Sequence, residues 1–266
     1  MPINRQTIKH FMPDNQWKKY EQAYHLRSLK YAKGGKLKFS RKHEGLAEYL
    51  NEAAEKIGRT DFSFLDAGCG NGIYLKYMGD KYPEARLHGF DFSQTIVDIA
   101  KNNAPTAEIK SGNLEAAPYA DEKFDIILCT QVIEHLLDDK KGLTELYRLL
   151  KPNGYLIIST DNEDNLVSKF LNLPIKLLSS PYRLLKRLLP DKKYFPHKSY
   201  KIGEFTKLIK TRALIIEKIS TFRFSLPWPF YKMGLLNQLL NKLETFAGNK
   251  NFFRNNGDIV VALCKK

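Results

Sequence analysis

Cysteine is scarce in this chain: 266 residues hold only Cys69, Cys129 and Cys264, an odd number without metal-ligand spacing. That pattern argues against a disulfide framework or a structural zinc site, and it fits a reducing, cytoplasmic setting in which each cysteine serves as a small packing residue. The histidines His10, His25 and His43 are too scattered to suggest a metal centre, so none is expected. No apolar run reaches the length of a membrane span. The opening Met1-Pro2-Ile3-Asn4-Arg5-Gln6 is polar where a secretory signal would be hydrophobic, so any membrane contact is expected to be peripheral. Internal repeats are absent. The formal net charge of +14 raises a nucleic-acid partner, but the sequence carries no recognisable nucleic-acid module or aromatic platform, which makes that class the weaker expectation.

What is present is an apolar strand running into glycines spaced two apart, Phe64-Leu65-Asp66-Ala67-Gly68-Cys69-Gly70-Asn71-Gly72. Glycine lacks a Cβ, so the backbone can turn sharply off the strand and approach a ligand, while the next helix offers unpaired N–H groups. The pattern predicts that helix over Ile73 to Tyr82. A second apolar run, Leu87-His88-Gly89-Phe90, closes on Asp91, whose carboxylate would lie beside the glycine turn and accept both ribose hydroxyls of a nucleotide-like ligand. These two features leave nicotinamide dinucleotides and S-adenosylmethionine open. Asp66 separates them, because an acid just before the first glycine would meet a pyrophosphate unfavourably but could hold an ammonium group. S-adenosylmethionine is therefore the favoured cofactor.

Several motifs then occur in order over residues 62–160. Asp66-Ala67-Gly68-Cys69-Gly70-Asn71-Gly72 resembles the first motif of the class I S-adenosylmethionine-dependent methyltransferases, and Gly89-Phe90-Asp91-Phe92-Ser93 resembles their ribose-binding second strand. Phe124-Asp125-Ile126-Ile127-Leu128-Cys129 is similar to the fourth strand, and Leu150-Lys151-Pro152-Asn153-Gly154-Tyr155-Leu156 leads into the fifth. The resemblance implies cofactor contacts at Asp66, Gly68, Gly70, Gly72, Asp91, Phe92, Asn113, Leu114 and Gln131. Gly112-Asn113 stands where many members carry Gly-Asp, and an Asn carbonyl can accept the adenine amino group without charge. Cys129-Thr130-Gln131-Val132-Ile133-Glu134-His135 differs from the Asn-Pro-Pro-Tyr type that methylates amide or adenine nitrogens. It resembles small-molecule methyltransferases, including those of quinone biosynthesis, in which a Glu-His pair lies near the acceptor. Glu134 and His135 are accordingly the catalytic candidates; His135 could take the proton of a hydroxyl acceptor, orient it, or bond a loop carbonyl instead.

The alternation predicts an α/β, doubly wound and mostly parallel sheet with an insertion after the fifth strand; the resemblance implies that it is Rossmann-like and seven-stranded, with an antiparallel last strand and a helical N-terminal cap. The cap is drawn over 1–60, the methyltransferase domain over 61–266, and the insertion over 161–201. In the cap, Tyr20, Tyr24 and Tyr31 stand among Lys18, Lys19, Arg27 and Lys30, either closing the site or simply packing. Beyond the insertion, a helix is expected over Ile202 to Lys210, a strand over Ala213 to Ile219, and a buried last strand over Asp258 to Cys264. Leu166 to Pro190 contains no acid but holds Lys169, Lys176, Arg183, Lys186 and Arg187 among many leucines, with Pro174 and Pro181 dividing it. Such a stretch suits an anionic membrane surface, or else covers the acceptor pocket or packs on the sheet. The same choice applies to Leu235, Leu236, Leu239, Leu240 and Leu243. The sequence therefore points to O-methylation of a small or lipid-like acceptor; a nicotinamide-dependent oxidoreductase and a catalytically silent cofactor-binding subunit are the alternatives.

Overall fold

The computed structural model describes residues 39, 41–165, 197–222 and 257–266. Helix α1 (Arg41–Ile57) leads into β1 (Ser63–Ala67), α2 (Ile73–Lys81), β2 (Arg86–Asp91), α3 (Gln94–Asn103) and β3 (Glu108–Ser111). Then follow β4 (Phe124–Thr130), a short 3₁₀ turn (Ile133–His135), α4 (Asp139–Leu149), β5 (Leu150–Asp161), α5 (Ile202–Ile209), β6 (Ile215–Phe222) and β7 (Ile259–Lys265). The tyrosines of the N-terminal region, the basic leucine-rich stretch at 166–190 and the leucines at 235–243 lie outside the described residues, as do His10 and His25. No helix among the described residues is long and apolar enough to cross a membrane.

The strands form one seven-stranded sheet in the order β3-β2-β1-β4-β5-β7-β6. The first five run parallel, while β7 pairs antiparallel with both β5 and β6. All five residues of β1 are buried, as are the first six of β4 and the first six of β7, which is what a sheet covered on both faces requires. Side chains then alternate between two cores. Leu65, Cys129, Leu156, Ile158, Val260 and Ala262 face α4 and α5, packing with Leu143, Leu146, Phe205 and Leu208. Phe64, Ile126, Leu128, Ile157, Val261 and Leu263 face the other way, onto Leu46 and Leu50 of α1, Met78 of α2, and Val97 and Ala100 of α3. Cys69, Cys129 and Cys264 are free and buried, matching the packing role expected of them.

Boundaries moved where local chemistry intervened. α2 stops at Lys81, since Tyr82 leaves helical geometry (φ −127°, ψ 78°) while its N–H still reaches Met78 O. Pro83 follows it, and a residue before proline is sterically kept out of the α region. β6 starts at Ile215 rather than Ala213, because Leu214 N–H is held in a turn by Arg212 O at 2.7 Å.

At the edge where β1 and β4 begin, Asp125 gathers four donors. Its Oδ2 accepts Ser63 N–H at 2.7 Å, the Ser63 hydroxyl at 2.6 Å and Lys151 Nζ at 3.0 Å, and its Oδ1 accepts Arg59 at 2.7 Å. Although burial pushes the carboxyl up, the Ser63 and Lys151 bonds outweigh it and bring the pKa down to about 2. Asp125→Ala is expected to cost about 1–3 kcal/mol in denaturant unfolding at neutral pH, the usual range for bonds to a largely buried charge. The native chain should lose that increment as pH falls from about 4 towards 2, where Asp125 protonates. An Asp125→Ala unfolding midpoint equal to native would show that the cluster does not fasten the strands.

Candidate cofactor and acceptor site

The site forms at the opposite edge, beyond the C-terminal ends of the parallel strands. As the chain leaves β1, the N–H groups of Gly68 and Cys69 both donate to Phe90 O in β2, at 2.8 and 2.9 Å. Gly68 has φ +81°, and a Cβ there would lie 2.3 Å from Val132 Cγ2, so glycine is required by both conformation and space. Gly70 has φ +51°, yet an added Cβ would meet nothing within 4 Å, leaving open room over the turn. Gly72, also in the left-handed region, caps α2.

Two acids converge under this turn. Asp91 Oδ2 accepts Gly70 N–H at 3.1 Å and its Oδ1 accepts Ser93 N–H at 3.0 Å, so the carboxylate is held by the loops it joins. Burial nevertheless pushes its pKa up, against the backbone N–H groups of Ser93, Gly70 and Phe92. Asp66 is fully buried, and neither carboxylate oxygen has a hydrogen-bond partner. Burial first, and the Asp91 charge second, raise its pKa to about 8. A buried carboxyl without a partner is costly.

The remaining expected contacts differ in what they expose. Phe92 is half-buried beside Asp91. Asn113 Oδ1 accepts Glu115 N–H at 3.0 Å in a tight turn, so that oxygen already has a local partner. The Leu114 side chain is buried in the core under α4, near Gly142. Gln131 sits at φ +56° immediately after β4. In the orientation that satisfies both groups, its amide pairs with Asp161, donating to Oδ1 at 2.8 Å and accepting Asp161 N–H at 3.3 Å.

Glu134 is almost wholly buried, and its Oε2 accepts the Thr160 hydroxyl at 3.1 Å. It thus ties the 3₁₀ turn to the end of β5. His135 lies outward of it, half-buried, with its ring 5.2 Å from that of His197. His197 Nε2 in turn stands 3.3 Å from Asp161 Oδ2, both side chains remaining more than a third exposed (39% and 38%). Sequence reasoning missed His197 and Asp161. They meet because the returning chain docks on the end of β5: Lys198 N–H donates to Glu134 O at 3.0 Å, Tyr200 N–H to Asp161 O at 3.3 Å, and Glu163 N–H to Tyr200 O at 2.9 Å. No spacing rule links two residues so far apart in sequence, so the sequence held no signal for the pair.

A glycine turn between β1 and α2, an acid ending β2, and a sheet whose last strand in sequence reverses direction together define a class I methyltransferase type of cofactor site. The comparisons agree. Residues 65–158 match the methyltransferase domain family. A demethylmenaquinone methyltransferase of Lactobacillus johnsonii is 29% identical over 198 residues, covering 71% of this chain and 76% of that protein. A ubiquinone biosynthesis O-methyltransferase of Coxiella burnetii is 31% identical over 104 residues, 38% of this chain and 44% of that one. The chain spans less than half the length of several curated relatives it matches. In fold, it is similar to an S-adenosylmethionine-dependent methyltransferase from Mesorhizobium loti, with a TM-score of 0.58, 12% identity, and coverage of 85% of this chain and 98% of the other. Residues 65–158 thus carry a methyltransferase domain similar to those of S-adenosylmethionine-dependent enzymes, and the match favours that cofactor over a nicotinamide.

The state of Asp66 is open to measurement. Unfolded, it ionises near 3.8; folded, near 8. The native state therefore binds the extra proton between those values, and this contribution to stability is lost as pH rises from about 4 to about 8. Asp66→Asn, neutral throughout, should remove that part of the slope without cofactor present. Thermal melts of both proteins across this range should show the variant gaining on the native chain as pH rises; a constant difference would mean that Asp66 is already ionised in the fold.

Proposed function

We propose that this protein transfers a methyl group from S-adenosylmethionine to an oxygen of a small or lipid-like acceptor. The observation that carries the reading is the unpartnered Asp66 carboxyl beneath an open glycine turn, with Asp91 beside it. In this reading Asp91 receives the ribose hydroxyls, Asp66 meets the ammonium group, and the turn with Phe92, Asn113 and Leu114 frames the nucleoside. Bound there, the cofactor supplies a methyl group already activated on a sulfonium, so the protein must chiefly align the acceptor and keep water out. His135 accepts the proton of the acceptor hydroxyl, while His197 and Asp161 hold the neighbouring polar surface in shape. Glu134 serves by fixing the turn that carries His135. A ubiquinone biosynthesis O-methyltransferase among the relatives supports transfer to oxygen, and with a demethylmenaquinone methyltransferase it supports a quinone-like acceptor.

Titration calorimetry with S-adenosylmethionine, S-adenosylhomocysteine and NADH tests the cofactor. The first two are expected to bind, and Asp91→Ala should weaken them about tenfold or more, equivalent to about 1.4 kcal/mol or above. Binding of NADH alone, or unchanged affinity in a folded Asp91→Ala variant, would refute the assignment. With a phenol-type acceptor in hand, His135→Ala should lower kcat by about 10²–10⁴ while leaving cofactor affinity intact. Cofactor binding without turnover on any hydroxylated acceptor would favour the silent-subunit reading.

The basic stretch at 166–190 is proposed to bring the enzyme to anionic membranes, where a lipid-like acceptor would reside. The protein should float with vesicles containing phosphatidylserine, and neutralising Arg183, Lys186 and Arg187 should abolish flotation. Native protein left at the bottom of the gradient would exclude the membrane role.

A further inference from the structure

A second buried polar group without a hydrogen-bond partner is the hydroxyl of Tyr74, which feels the Asp66 charge. Tyr74 is the second residue of α2, directly after the glycine turn, and only 5% of its surface is accessible. Its ring is held from the α1 side, edge-on to Phe39 with centroids 6.4 Å apart and to His43 at 5.6 Å. Burial, and then the charge of Asp66, push the phenol's pKa well above its usual value, so the hydroxyl remains a neutral donor at any physiological pH. Nothing in the packing demands an oxygen there: the side chain sits in an apolar core with Cys69, Leu75 and Met78, where phenylalanine would fill nearly the same volume.

Buried polar atoms without partners are rare, and each costs stability. Here two occur together, an acid and a neutral donor, at the base of one loop. Their chemistry is complementary to an amino-acid zwitterion. A carboxylate accepts from an ammonium group but repels a second carboxylate, and a phenol can donate to that second carboxylate without bringing another buried charge. Resting on the cofactor reading above, we propose that Tyr74 is a cofactor-positioning residue, its hydroxyl and the Asp66 carboxyl together receiving the amino-acid end of S-adenosylmethionine. The ligand class is thus an α-amino acid moiety carried on a nucleoside, and Tyr74 selects for the part that a simple nucleoside lacks.

The test compares native protein with Tyr74→Phe, using S-adenosylhomocysteine and 5′-methylthioadenosine as probes in calorimetry, together with thermal melts of both proteins without ligand. Losing one hydrogen bond to a charged group should weaken S-adenosylhomocysteine about tenfold or more. Affinity for methylthioadenosine, which has no amino-acid end, should stay within about twofold of native. Without ligand, the variant should melt at the native temperature or higher, since it loses an unsatisfied hydroxyl and no bond. Equal affinity of both proteins for S-adenosylhomocysteine would overturn the proposal, as would equal weakening of both probes or a lower melting temperature, either of which would mark the hydroxyl as structural. If native protein binds neither probe, the cofactor reading itself fails and this proposal falls with it.

Discussion

Phe90 O is the point on which the geometry of the site turns. By accepting both the Gly68 and the Cys69 N–H, it locks the exit of β1 to the end of β2. The Gly70 N–H to Asp91 bond adds a second fastening one step further on. Together these bonds fix the turn in a conformation that only glycine adopts easily, set α2 on its left-handed Gly72 cap, and bring Asp66, Asp91 and Tyr74 under one loop. The functional groups therefore depend on backbone geometry more than on their own side-chain contacts. Pairing of parallel strands supplies it, and the two-sided core makes that pairing rigid.

The ends of β4 and β5 are built differently. There the anchors are side chains and a returning segment: Glu134 on Thr160, Gln131 on Asp161, and the backbone of residues 198–200 on Glu134 and Asp161. His135 and His197 are consequently placed by two separate segments, the 3₁₀ turn after β4 and the stretch leading into α5. By contrast, Asp66, the glycine turn, Asp91 and Asn113 fall within one short stretch of sequence. This division suits a family in which one cofactor is shared and acceptors differ.

Local chemistry explains what could be read in advance. The glycine turn, Asp91 and the alternation of strands and helices are encoded over short windows, so the sequence predicted a parallel sheet and located the acids of the turn, while the reversed last strand followed from the family resemblance. The Pro83 effect on Tyr82 was readable in principle, since it too is local. The Asp125 cluster was not, because Ser63, Asp125 and Lys151 belong to three strands and meet only through the register of β1, β4 and β5. Asp161 and His197 were hidden for the same reason across a longer separation. Tyr74 was hidden by resemblance to its neighbours: on an amphipathic helix a buried tyrosine reads as core, and only its lack of a hydrogen-bond partner distinguishes it.

Asp66 and Asp125 mark opposite edges of the sheet with opposite electrostatics. Both are buried aspartates on adjacent central strands, yet one ionises near 8 and the other near 2. Asp125 has its donors within the chain, and its charge is therefore spent on holding strands together. Asp66 has none, so the fold bears a penalty that packing does not relieve. Replacement by an apolar residue of similar size would remove that penalty, so stability alone gives no reason for the acid to be there. A ligand bringing a positive group to Asp66 would both satisfy the oxygens and return the pKa towards its ordinary value. Cofactor binding and proton release from Asp66 are then one event, which makes affinity for an ammonium-bearing ligand rise with pH up to about 8.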